Sequence, residues 1–250
     1  MSLVKISRYA DATPNFDNSC VSRIPVLVGT YSQTTFTRTA IKQNGSFEPE
    51  LYEFGDKVQI FLFFSGRGYI TTPRDAFNID ETCVFVPDFD KEKIIIHAAK
   101  DNKVPLEFLH ITALMSEYDK KDIYASHMTL PRFRGFSKCW TYDECFKEEG
   151  TKSLMLLEHR NLGRLSMGAV LGCGPSTVGQ HIHNELEQWY FALPGASFTY
   201  TAEGEKYHLT EGDLSYTPHS SHHGSSAAAG ERFDYIWFEL CENGYPGGIA

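Results

Sequence analysis

Two stretches of this chain echo each other about 130 residues apart. Val58 to Phe64 reads VQIFLFF and runs into a glycine turn at Gly66. Gln188 to Leu193 reads QWYFAL and runs into Gly195. Further on, TCVFVP ends at Pro87 and LSYTP ends at Pro218. The offsets are 129 for the glycines and 131 for the prolines. A near-constant offset is the mark of a repeated fold. Apolar, aromatic strands closed by turn residues, used twice, predict an all-β chain of two tandem units. The division predicted is 1–125 and 126–250. The second part includes a connection, Ser116 to Lys152, rich in charge, glycine and proline. Within that connection SEYDKKDIY reads as a helix, and its aromatics predict that it packs on a barrel.

The second copy carries ligand chemistry. His181 and His183 are two apart and share a face if the segment is a strand. Glu187 follows after three residues, and Gly195 after seven more. Gly212, five residues, Pro218 and then His223 form the second half. Three imidazoles and a carboxylate make a set for a divalent metal. This two-part pattern resembles the signature of the cupins, G-x5-HxH-x3,4-E-x6-G followed by G-x5-P-x-G-x2-H-x3-N. It departs from that signature in four places. Gly174 lies seven positions before His181, and the spacer before Gly195 is one residue too long. Ser220 and Ala227 replace the second glycine and the asparagine of the second half. The resemblance implies two tandem cupin barrels, each a double-stranded β-helix or jelly roll. It implies one metal, held by His181, His183, Glu187 and His223 inside the second barrel. Manganese, iron, zinc, nickel and cobalt all suit that set.

The first copy lacks these ligands. Alignment on Gly66 puts Gln59 near the place of Glu187, Glu53 and Gly55 at the histidines, and Glu92 at the last histidine. His97 and His110 are out of register and read as ordinary polar or core residues.

Around the metal, alternation counted from Glu187 turns Trp189 and Phe191 toward the cavity. On the last strand Tyr235 and Trp237 share a face with Glu239 and are expected to line a substrate pocket. The candidates for acid/base work are Tyr216, His219 and Arg164. Arg132 and Arg134 in the connection are candidates for a substrate carboxylate.

The resemblance implies a Lewis-acid enzyme acting on a small oxygenated substrate, such as a sugar acid or keto acid, with isomerase- or hydrolase-like chemistry. A non-haem iron dioxygenase and a non-catalytic small-molecule binder stay open. The net charge of −9, without a basic run, argues against nucleic acid or a membrane surface as partner. The six scattered cysteines read as free thiols, and with no apolar leader the chain is expected to be cytoplasmic. A homodimer is expected, because aromatic strands with open edges favour association.

Overall fold

A computed structural model describes residues 3–148 and 150–245. The chain divides into two units. The first comprises 12–120 and 128–138; the second comprises 3–11, 121–127 and 139–245 among the described residues. Among the described residues the architecture is all-β, as expected, with antiparallel pairing throughout and one α-helix, Glu117–Ser126.

That helix is the charged segment expected to be helical. Ser116 caps its start: the Asp119 amide donates to Ser116 Oγ, and the Ser116 amide donates to Asp119 Oδ2 at 2.7 Å. This reciprocal arrangement satisfies two amides that the first turn leaves unpaired.

The first unit stacks a six-stranded sheet on a four-stranded one. Phe61, Phe63, Phe85 and Phe108 fill the core between them with Ile70 and Ile96. Gln59 shares the inward face of its strand with Phe61 and Phe63. Its amide oxygen lies 2.7 Å from His110 Nε2, and both side chains are buried. Burial pushes His110 down to about 4. His97 sits 3.1 Å from Thr71 Oγ1 and stacks on Tyr69. Arg132 and Arg134 lie on Arg132–Gly135, an edge strand of the six-stranded sheet paired with Cys83–Val86. Part of the connection therefore completes the first unit.

The second unit repeats the plan with a seven-stranded and a four-stranded sheet. The larger sheet takes an edge strand from the start of the chain. Lys5–Ser7 pairs with Leu214–Thr217, and Arg8 binds Asp213 at 2.7 Å. The strands that matter most are Leu165–Leu171, Leu186–Ala192 and Tyr235–Cys241, adjacent in that sheet. The smaller sheet contributes Ser176–His181 and His223–Ala227, paired with each other. Tyr190, Ala192, Phe198, Tyr200, Phe233 and Tyr235 meet between the sheets.

Gly66 and Gly195 both hold positive φ, 75° and 80°, a conformation glycine adopts without steric penalty. The turn that marks each copy in the sequence is thus the same backbone device. No disulfide forms: all six cysteines are free. No helix among the described residues is long and apolar enough to cross a membrane.

Candidate metal centre

His181 ends its strand and lies directly across from His223, which begins the neighbouring one. His183 follows two residues later, where the chain leaves the sheet. Its carbonyl accepts the Ser220 amide at 2.8 Å, which ties the two ligand-bearing loops together. The result is a cluster in which one nitrogen from each imidazole lies within 4.8 Å of the others.

Hydrogen bonds set the tautomers. His181 Nδ1 lies 2.8 Å from the Gly179 carbonyl, and His223 Nδ1 lies 2.8 Å from the Ser221 carbonyl. A carbonyl can only accept, so Nδ1 carries the proton and Nε2 keeps its lone pair. His223 Nε2 is buried and has no hydrogen-bond partner. Burial is the main cause that drives His223 down to about 3, with the neighbouring His181 adding to it. Burial also lowers His181 and His183. Three neutral, converging imidazoles with one orphaned buried nitrogen are a donor set that fits a divalent metal.

Glu187 is not the fourth member. Its carboxylate points to the opposite face of its strand. There it accepts from the Tyr216 hydroxyl at 2.5 Å and lies 2.6 Å from His219 Nδ1. The hydrogen bond to Glu187 raises His219 above the usual imidazole range. Glu187, His219 and Glu242 form a separate cluster on that outer side. Trp189 and Phe191 go with Glu187. Trp189 packs on Tyr216 and Phe238, not against the cavity.

The inward residues of this strand are Leu186, Gln188 and Tyr190. The spacing that looked one residue too long is accounted for by this shift. Counted from His183, four residues precede Gln188, and six separate it from Gly195. Gln188 therefore stands where the cupin pattern has its glutamate, and it offers a neutral amide oxygen. The surplus residue before Gly195 was the sequence signal for this phase.

The cavity at the triad has a volume of about 520 Å³. Tyr235 and Trp237 line it, and so do Tyr190 and Tyr200. Burial raises the phenols of Tyr190, Tyr200 and Tyr235, so all three stay neutral donors. Tyr216, His219 and Arg164, the acid/base candidates, lie outside the lining.

Glu239 is inside, directly across from Gln188 on one side and Ser166 on the other. All its polar neighbours converge on one oxygen. Oε1 lies 2.8 Å from Ser166 Oγ, 3.1 Å from the Tyr245 hydroxyl and 3.0 Å from His159 Nε2.

The last wall comes from the connection. Residues 140–148 cross from one sheet to the other. Trp140–Tyr142 pairs with 153–155 of the larger sheet. Lys147 bridges to Val178 of the smaller one, and the Gly179 amide donates to the Phe146 carbonyl at 2.7 Å. This strap brings Tyr142, Glu144, Phe146 and Lys147 into the cavity wall. Phe146 lies flat on His181, ring centroids 4.0 Å apart. Arg132 and Arg134 do not reach this wall.

No family model matches the sequence, and no curated protein matches it. Solved structures do. A protein from Pseudomonas aeruginosa assigned as glyoxylate-induced superposes with a TM-score of 0.74 at 10% identity, over 100% of this chain and 92% of that one. The fold is the cupin fold. Protein YlbA from E. coli gives a TM-score of 0.71 at 10% identity, covering 96% of this chain and 91% of its own. A point variant of Bacillus subtilis oxalate decarboxylase gives 0.68 at 11% identity, over 96% and 78%. Another structure of that decarboxylase is described for its Mn(II) centres. At such identities the likeness between these cupins and this chain concerns architecture.

Proposed function

We propose that this chain is a two-barrel, metal-dependent cupin enzyme that acts on a small oxygenated substrate in the cavity of its second unit. The observation that carries this reading is the His223 Nε2 atom. It is buried without a hydrogen-bond partner, in a cluster whose nitrogens lie within 4.8 Å of one another. An unpaired buried polar atom costs about 1–3 kcal/mol, and a metal offsets that cost. His181, His183 and His223 would hold the ion, with Gln188 as the fourth donor. A divalent metal bound there supplies Lewis acidity toward a carbonyl or hydroxyl oxygen.

The protein's own groups do the rest. The tyrosines and Trp237 exclude water, and the phenols stay neutral, while the Trp237 indole donates to the Tyr142 hydroxyl. Glu239 is the proton-handling group. Ser166, Tyr245 and His159 hold its Oε1, which leaves Oε2 to take or return a proton. His159 is partly exposed and links Glu239 to solvent.

A second reading, a non-haem iron dioxygenase, is favoured by the three-imidazole set and the aromatic walls. Elemental analysis of the purified protein tests the shared premise. One divalent metal per chain is expected, with a loss of most of it in His183→Ala. Full occupancy in that variant refutes the site. A metal replacement series then separates the readings. Turnover with manganese or zinc under anaerobic conditions supports the Lewis-acid enzyme, and a strict need for ferrous iron with dioxygen supports the dioxygenase.

A further inference from the structure

Lys147 is the only lysine or arginine among the described residues that line the cavity. Its side chain is only 6% exposed, although lysine is among the residues least often buried. The strap holds it from several directions. Its ammonium donates to Ser153 Oγ at 2.7 Å and forms an ion pair with Glu144. It also lies 5.0 Å from the centre of the Tyr142 ring and 5.8 Å from that of Phe146. An ammonium has three N–H donors. Ser153 and Glu144 take two, and the third is uncommitted.

Three carboxylates among the described residues share the lining: Glu144 is paired with Lys147, Glu239 Oε1 is engaged by three donors, and Glu185 Oε2 lies 4.0 Å from Cys241 Sγ. Phe146 beside Lys147 stacks on His181, and the proposed donor set, three imidazoles and the Gln188 amide, is neutral. An ion bound there keeps its full double charge, which a ligand carboxylate would balance better than a neutral group would.

We propose that Lys147 is the carboxylate anchor of the cavity, and that the substrate class is a small carboxylic acid with a second oxygen directed at the histidine triad. This deepens the metal-enzyme reading and rests on it for the contact to the triad, while the anchor itself stands on the strap alone. Glu144 and Ser153 are positioning residues in this scheme. They hold the ammonium at a set place instead of leaving a long side chain to search, which is what makes a point charge selective.

Titration calorimetry with pyruvate and its neutral amide, pyruvamide, tests the anchor. The metal-loaded wild type is expected to prefer pyruvate by roughly 10- to 100-fold, the ratio a charge-assisted hydrogen bond gives. Lys147→Met is expected to lose that preference while its metal content stays at the wild-type level. Lys147→Arg keeps a cation and is expected to keep part of the preference. If Lys147→Met alone misfolds because Glu144 is left unpaired, the double variant Glu144→Gln/Lys147→Met removes both charges and gives the same reading. The same titrations on His183→Ala separate the two ideas. A preference that depends on Lys147 and survives there supports the anchor even where the metal assignment fails. Equal preference in wild type and Lys147→Met, or no pyruvate binding by the wild type, overturns it.

Discussion

Glu187 and Gln188 are adjacent, and everything about the donor set turns on which of them faces inward. Successive strand residues point to opposite faces, so a phase error of one residue exchanges the two walls completely. It moves Glu187, Trp189 and Phe191 out of the cavity and puts Gln188 and Tyr190 in. Replacing Glu187 with alanine is therefore expected to leave metal content at the wild-type level. It should still cost about 1–3 kcal/mol of stability, because it removes the acceptor of the buried Tyr216 hydroxyl. Elemental analysis beside a thermal melt checks both halves, and metal loss would return Glu187 to the ligand set. The histidines were legible because their spacing alone brings them together. The phase of the next strand was not, because Glu187 to Ala192 is buried on both faces. Hydrophobic alternation carries no information where neither side meets water.

At the scale of elements, the last strand could be read and the strap could not. FDYIWFEL announces a strand, and its Tyr235–Trp237–Glu239 face does line the cavity. The strap is short pieces of irregular chain, tied at both ends by backbone hydrogen bonds that leave no periodic trace. The strand beside the last one explains how Trp237 fits. Gly168 lies directly across from it, and a Cβ at Gly168 would sit 2.2 Å from the indole and 2.7 Å from the Leu154 carbonyl. Gly168→Val should therefore displace the ring from its stack on His159 and from the Tyr142 hydroxyl, 3.1 Å from its indole nitrogen. Overpacking of this kind costs about 1–3 kcal/mol. A lowered melting temperature with a shifted tryptophan emission is expected, and an unchanged spectrum would show that the ring does not depend on this glycine.

At the scale of the whole molecule, a division into two units was legible because each unit keeps an apolar strand and a turn glycine. Even Gln59 and Gln188 fall at the same 129-residue offset as Gly66 and Gly195. What could not be read was the exchange of chain between the units. Lys5–Ser7 and Arg132–Gly135 are too short to show as strands, yet each completes a sheet in the unit that the linear order does not suggest. For assembly, we propose a twofold homodimer, the commonest closed arrangement for a soluble chain. Light scattering at micromolar concentration should give twice the chain mass of 28.3 kDa. A mass equal to the single chain would refute it.

The strap has a consequence for how such a protein can change over generations. His181 and His223 belong to paired strands, where a substitution disturbs a sheet. Glu144, Phe146 and Lys147 belong to a segment that owes the barrel only a few backbone hydrogen bonds. Mutations there can alter what the cavity accepts while the donor set stays intact. Ancestry would then be recorded in the strands, and the choice of substrate in the strap.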